Sequence, residues 1–174
     1  MSANKYLVDA GAYDQEVAAT QTSTGAPNAN EIVALNADGV LDPTLMPPGI
    51  VPMLTIATAS EALAAGDFVN LWNDTGTLKA RKADASVPNV AKKADGYVRD
   101  NYLINAIDVK VYVEDFNDKV SGLTVGSDYF LSDTVPGGVT ATAPTTAGYI
   151  SQYLGAAVSA TKMIVEMDRP TLRA

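Results

Sequence analysis

Between Ile107 and Glu114 apolar and polar residues alternate: Ile107, Val109, Val111 and Val113 share one parity, while Asp108, Lys110 and Glu114 share the other. A period of two sends successive side chains to opposite faces of a strand, so this stretch predicts a half-buried β-strand. KMIVEMD, beginning at Lys162, repeats the pattern with Met163, Val165 and Met167 inward and a mostly polar outer face. Weaker strand candidates are DFVNLW, TLKARK, SDYFLS, GVTATA and GYISQYLG, which are rich in β-branched and aromatic residues. Only ATASEALAAG has helix-like content; Thr58, three residues before Glu61, suits a capping box, and a single turn is the most it predicts.

Turn signals punctuate these segments at Ala65-Gly66-Asp67, Asn73-Asp74-Thr75-Gly76, Asp95-Gly96, Asn117-Asp118, Gly126-Ser127, Pro136-Gly137-Gly138 and Gly148. Short apolar runs between turns spaced about ten residues apart predict an all-β domain over residues 50–174. Its form is a small β-barrel or sandwich of antiparallel strands. One internal repeat supports this: LAAGDFVNLWNDTG from Leu63 and LTVGSDYFLSDTVPG from Leu123 both run Leu-x-x-Gly, aromatic, Leu, Asp-Thr. Each reads as a strand entering a hairpin turn.

Residues 1–49 read differently. A short apolar patch, Tyr6, Leu7 and Val8, precedes the polar run ATQTSTGAPNAN, which has too little apolar surface to offset chain entropy alone. Asp38-Gly39 suits the turn of a short hairpin over 31–41. Asp42-Pro43 and Pro47-Pro48-Gly49 then forbid a helix and hold the chain extended. The expectation is an extended N-terminal arm with a short hairpin, ordered against something else. Tyr6, Leu7, Val8, Leu45, Met46, Pro47, Pro48 and Ile50 are its candidate interface residues. They serve either as anchors on a neighbouring subunit or as a plug for the open end of the domain's own barrel.

Composition narrows the chemistry. The net charge is −8, of which residues 1–50 contribute −5, one Lys against six acids. An acidic chain does not track a phosphate backbone, so no nucleic-acid partner is expected. Six of the twelve basic residues lie between Lys79 and Arg99; they read as a solvated strand and loop, or as a surface for an acidic partner. No apolar run approaches the ~18–20 residues of a membrane span. The N-terminus lacks the basic and apolar regions of a secretion signal. There is no Cys, which fits folding in a reducing cytoplasm.

With no His either, the commonest general base, the commonest metal ligand and every Ser–His or Cys–His pair are missing. No Walker loop, dinucleotide fingerprint or zinc spacing occurs. Glu114, Asp115, Asn117 and Asp118 place oxygen ligands close together, as Ca²⁺ requires, but read more simply as a hydrophilic hairpin turn. Tyr129, Tyr149 and Tyr153 suit a flat contact surface or a half-buried sheet face, and Trp72 suits packing. One Trp and three Phe are a thin supply for a sugar-stacking cleft. We therefore expect no catalytic residues, no cofactor and no metal.

Two stretches carry a resemblance. NEIVALNADGVLDPTLMPPGI resembles a segment of tailed-bacteriophage virion structural proteins, where I-V-x-L-x-x-x-G-x-L-D-x-x-x-M-P-x-G-I joins an N-terminal arm to a β domain. SGLTVGSDYFLSDTVPGGVTATAPTTAGYISQYLGAAVSATKMIVEMDRP is similar to the closing part of phage head and tail proteins. There G-L-x-x-G-x-x-Y-x-L-S, a P-G-G-(V/I)-T turn, a P-T pair and Q-x-x-G-x-A-x-S recur in order. Together they span residues 30–50 and 121–170. The chain lacks fibre repeats, collagen triplets and heptads, and so looks most like a capsid decoration (cement) protein. That resemblance implies a homotrimer or homodimer on the outer surface of the virion, made in the host cytoplasm and clamping the major capsid protein. A tail or head-fibre component with a receptor- or glycan-binding β module shares the same segments.

Overall fold

A computed structural model describes residues 5–37, 39–46, 53–87 and 91–174. The protein is all-β, its only helical elements being two three-residue 3₁₀ turns among the described residues. It divides into two units, Met1–Val51 and Pro52–Ala174.

In the first unit, β1 (Lys5–Asp9) and β2 (Asp14–Ala18) form an antiparallel hairpin around Gly11. The following polar run is folded by side-chain bonds rather than drawn out. Asn28 Oδ1 accepts from Thr24 N at 2.8 Å, and Thr44 Oγ1 accepts from Ser23 N at 2.8 Å. A parallel bridge ties Thr20 to Val33. The expected extended arm is therefore not what the described residues show, because Asn, Asp, Ser and Thr close local turns that the apolar pattern does not reveal. The turn expected near Gly39 exists, with Asn36 N donating to Val40 O at 2.9 Å, but no strand flanks it. Asp38 itself lies outside the described residues.

The second unit opens with β3 (Leu54–Ala59), β4 (Phe68–Asp74) and β5 (Thr77–Lys82), followed by β6 (Gly96–Tyr97) and β7 (Val109–Tyr112). These close a barrel in the order β3-β5-β4-β6-β7. All its pairings are antiparallel except the β3–β5 seam, where Thr58 pairs with Lys79 in parallel. The interior is small: Ala57, Ala59, Leu63, Val69, Ala80, Val98, Val109 and Val111. Five strands enclose too narrow a bore for rings. Alternation along β4 therefore puts Val69 inside and Phe68 on the outer wall, where Phe68 meets Tyr97 at 6.0 Å between ring centres.

That outer wall is covered by an antiparallel sheet in the order β10-β9-β12-β13-β8. Its strands are β8 (Asp115–Asn117), β9 (Asp128–Leu131), β10 (Val139–Thr140), β12 (Tyr153–Ser159) and β13 (Lys162–Val165). Between wall and sheet lies a second core containing Phe68, Tyr97, Tyr129, Leu131, Ile150, Leu154 and Met163. A two-stranded patch, β11 (Ile150–Ser151) with β14 (Thr171–Leu172), completes the unit.

The repeat is real at the level of backbone. Asp67 N donates to Ala64 O, and Ser127 N to Thr124 O, across Gly66 and Gly126, which both have positive φ. Each turn launches a strand, β4 and β9, that enters a hairpin. Three expectations fail. Ile107 is 71 % exposed instead of sharing the inner face of Val109 and Val111, because Asp108 at φ 62° breaks the alternation. Val113 is only half-buried and falls beyond the end of β7. ATASEALAAG makes no helix: its first three residues extend as the end of β3, and Glu61 accepts from Lys82 N at 2.8 Å instead of capping.

Gly155 has φ 143°, and a Cβ there overlaps the carbonyl oxygen of Ile164 on the paired strand β13. Gly155→Ala should cost at least ~2 kcal/mol in urea unfolding, because backbone must move. Gly122→Ala is the control, left-handed at φ +72° but unobstructed, and should cost less. Equal midpoints for the two variants would show that the sheet absorbs the clash.

Candidate interaction surfaces

The expected interface residues fall on two elements of the first unit. On β1, Tyr6 is half-buried, Leu7 is 68 % exposed and Val8 is exposed; Tyr6 pairs with Val17 on β2. Leu45 closes the second 3₁₀ turn, Pro43–Leu45, and is half-buried, with Met46 exposed beside it. Pro47, Pro48 and Ile50 lie outside the described residues. No described residue from 5 to 46 is buried. Leu7, Val8, Ile32, Leu35, Val40 and Leu41 all face solvent.

Polar bonds are what order this unit. Lys5 pairs with Glu16 at 3.0 Å across the hairpin, and Thr20 and Asn28 both donate to the Glu31 carboxylate. The Thr20 hydroxyl, then the Asn28 amide, hold Glu31 below the usual carboxylate range. Exposed bonds of this kind exchange with water and add little net stability each. Ordering a residue's backbone costs ~1–2 kcal/mol. The described residues of this unit bury little apolar surface to set against their chain entropy.

In the second unit the most organised polar group surrounds Arg99. Its Nη2 lies 2.9 Å from Tyr97 Oη, Asp115 Oδ2 and Phe116 O, and its guanidinium covers the Tyr112 ring at 4.4 Å. Arg99 Nε is buried without a hydrogen-bond partner. Burial pushes the Tyr97 phenol up. The Arg99 hydrogen bond, then the Phe116 amide, hold Asp115 down. This arrangement fastens β8 to the aromatic wall, and it is bracing between strands.

The remaining candidates are likewise spoken for. Among the basic residues between Lys79 and Arg99, Lys79 pairs with Asp74 at 2.5 Å, Lys82 with Asp67 at 3.2 Å, and Lys93 with Asp95. Arg81 bonds Asn70 and covers the Trp72 ring at 5.0 Å. Asp67, Asp74 and Asp95 thus sit among them, so the side chains of this stretch are of mixed sign. Asn117 is fully buried and donates to Gly66 O at 3.0 Å, while Asp118 pairs with Lys119 at 3.5 Å. Among the described residues no three Asp or Glu side chains converge as a metal would need. Tyr129 points into the core and Tyr153 away from it, against Phe130, so the two do not share a flat surface. Met163 is buried and Met167 packs on the same core, as the period-two pattern requires.

Two features escape the sequence reading. Gln152 is buried, and its amide matches the backbone of Ala94 on both sides: Oε1 accepts from Ala94 N at 2.8 Å and Nε2 donates to Ala94 O at 2.9 Å. Its parity with Ile150 and Leu154 was the available signal. It lines an open cleft of about 790 Å³ with Lys93, Asp95, Met167, Asp168 and Arg169, and its own amide is taken up by backbone bonds to Ala94 and Asp168. The second feature is the loop after Tyr102, which displays Leu103, Ile104 and Ile107, the first 79 % exposed.

Comparison with known protein families, curated proteins and solved structures finds no match to this chain.

The Arg99–Asp115 pair sets a pH dependence. Asp115 has a folded pKa below the ordinary value of about 3.8, so the unfolded chain binds its proton more readily. The stability it contributes is present above that value and is lost as pH falls through the depressed folded pKa. Asp115→Asn should flatten the acid limb of a urea-midpoint profile between pH 5 and about 2. An unchanged slope would show that solvent screens the half-exposed pair completely.

Proposed function

We propose that this chain is a non-enzymatic structural protein of a tailed-phage virion. In this reading it decorates the capsid and stabilises it by bridging capsid subunits through its N-terminal unit and its β domain. One observation carries the reading: residues 5–46, as far as described, include no fully buried residue while exposing a set of large aliphatic side chains. Such a segment gains further stability from a surface outside it. The resemblance of residues 30–50 and 121–170 to phage virion proteins supplies the class of surface, a shell of major capsid protein.

The second unit suits the role in a different way. Ion pairs such as Lys79–Asp74, Lys82–Asp67 and Arg99–Asp115 brace the domain, its fold has two cores, and its Leu103–Ile107 loop offers a second apolar contact. Two separate contacts on one chain act as a bivalent clamp. The gain from joining them is roughly 10²–10⁴ in avidity, with no contact needing to be strong alone.

Deletion of residues 1–51 tests the proposal. The remaining 52–174 should keep its β circular-dichroism spectrum, while binding to purified shells falls by roughly a hundredfold or more. Undiminished shell binding, or loss of the β spectrum, would overturn it.

A further inference from the structure

Among the described residues no strand pairs with either edge of the hairpin β1–β2, and a lone two-stranded ribbon is marginal in water. Its hydrogen-bonding parity is set at the turn, where Ala10 N donates to Tyr13 O at 3.0 Å. Hydrogen-bonded and non-bonded pairs alternate along an antiparallel ladder. Given the register Tyr6↔Val17, Leu7↔Glu16 and Val8↔Gln15, Tyr6 and Val8 direct their backbone groups to β2. Lys5, Leu7 and Asp9 direct theirs to the open edge. Those three residues read cation, aliphatic, anion, and are symmetric about Leu7.

We propose that β1 pairs antiparallel with β1 of a second copy of this chain, on a two-fold axis at Leu7, giving a four-stranded sheet β2-β1-β1-β2. Lys5 then faces Asp9 of the second copy, and Asp9 faces its Lys5. Tyr6 faces Val8, an aromatic to β-branched pair of the favourable kind, and Leu7 lies beside Leu7. A slip of two residues either way discards both charge pairs. A slip of one sets outward-facing backbone groups against inward-facing ones. The opposite edge cannot do the same, because the equivalent pairing of β2 brings Glu16 against Glu16. Charge thus selects both the edge and the register.

The contact is small, five residues a side, far below the ~800 Å² per partner of a standard stable interface. Free chains meet this way transiently, and tethering on a repeating surface raises the effective concentration. The pairing deepens the proposed virion role, on which its biological use rests, by naming the partner of β1.

The absence of Cys makes a direct test possible in the full chain. Leu7→Cys places two thiols on residues whose Cα atoms lie ~5.5 Å apart across the axis, inside the ~4.4–6.8 Å range of disulfides. Gln15→Cys, also exposed on β2, puts them three strand spacings and two residues apart, more than ~14 Å. Mild oxidation should dimerise Leu7→Cys at least about tenfold faster, a factor that corresponds to ~1.4 kcal/mol. In the Leu7→Cys background, Lys5→Asp or Asp9→Lys should each slow cross-linking by a similar factor, since each turns two attractive pairs repulsive. Mixing those two variants restores opposite charges at both positions and should restore the rate, which also excludes misfolding as the cause of slowing. Equal rates at positions 7 and 15, no dimer, or no recovery on mixing would each overturn the pairing. Because free chains are used, the pairing can fail while shell binding still depends on residues 1–51, and the reverse.

Discussion

The second unit depends on the narrow bore of its barrel. Five strands leave room for Ala and Val and for Leu63, so the rings of Phe68 and Tyr97 must stand on the outer wall. Each ring carries about 150–250 Å² of surface that water disfavours. The five-stranded sheet is what removes that surface from solvent, with Leu131, Leu154 and Met163 packed over the wall. Neither half is therefore independent: the barrel needs the sheet as a lid, and the sheet needs the wall as a floor. The same steric rule explains why charged and large residues are scarce in the barrel strands wherever the parity is inward.

The aromatic wall also governs the edge of the sheet. Tyr112 continues the row at 5.7 Å from Tyr97, and Arg99 lies over both rings. Its guanidinium reaches Asp115 and the Phe116 carbonyl on β8, the last strand of the sheet. A short edge strand held by a cation and bearing Asp115 is a poor template for further pairing. Lys162 over the Phe116 ring at 4.1 Å shields the same edge. In this unit strand pairing is both satisfied and defended. The β1 edge of the hairpin has no comparable defence, since its single lysine sits at the end of the strand, whereas Glu16 opposes pairing at the β2 edge.

Much of the architecture was legible because period two survives wherever a strand is covered on one face. Met163 and Val165 announced themselves in this way, and the Leu-x-x-Gly repeat announced two equivalent turns. Legibility ended where a single backbone angle overrode the pattern. Asp108 in the left-handed region turns Ile107 outward, and no hydropathy count detects a φ of 62°. It ended again where a polar residue holds a core position. Gln152 is buried because its amide substitutes for a strand neighbour of Ala94, which depends on residues 58 positions apart. Within the first unit, the apolar triplet Tyr6, Leu7 and Val8 was visible, but not the hairpin it belongs to. Leu7 gains its position on an open edge only from the register with β2, and that register is a matter of geometry.

The contrast between the units bears on how the first one is used. Its local bonds, such as Asn28 to Thr24 and Asp42 to Thr44, narrow the range of conformations without forming a core among the described residues. A segment partly organised in this way loses less entropy on docking than a free coil, so more of the apolar contact appears as affinity. Because no core competes for them, Leu7, Leu35 and Leu41 remain free to face another surface. Specificity cannot come from those aliphatic residues, which fit any apolar patch. It has to come from the charges that bracket them. On β1 the bracket is Lys5 and Asp9, opposite in sign and equidistant from Leu7, an order that favours antiparallel self-pairing and opposes parallel pairing, where each charge would meet its like. The greasy centre supplies attraction, and the two ends decide for whom.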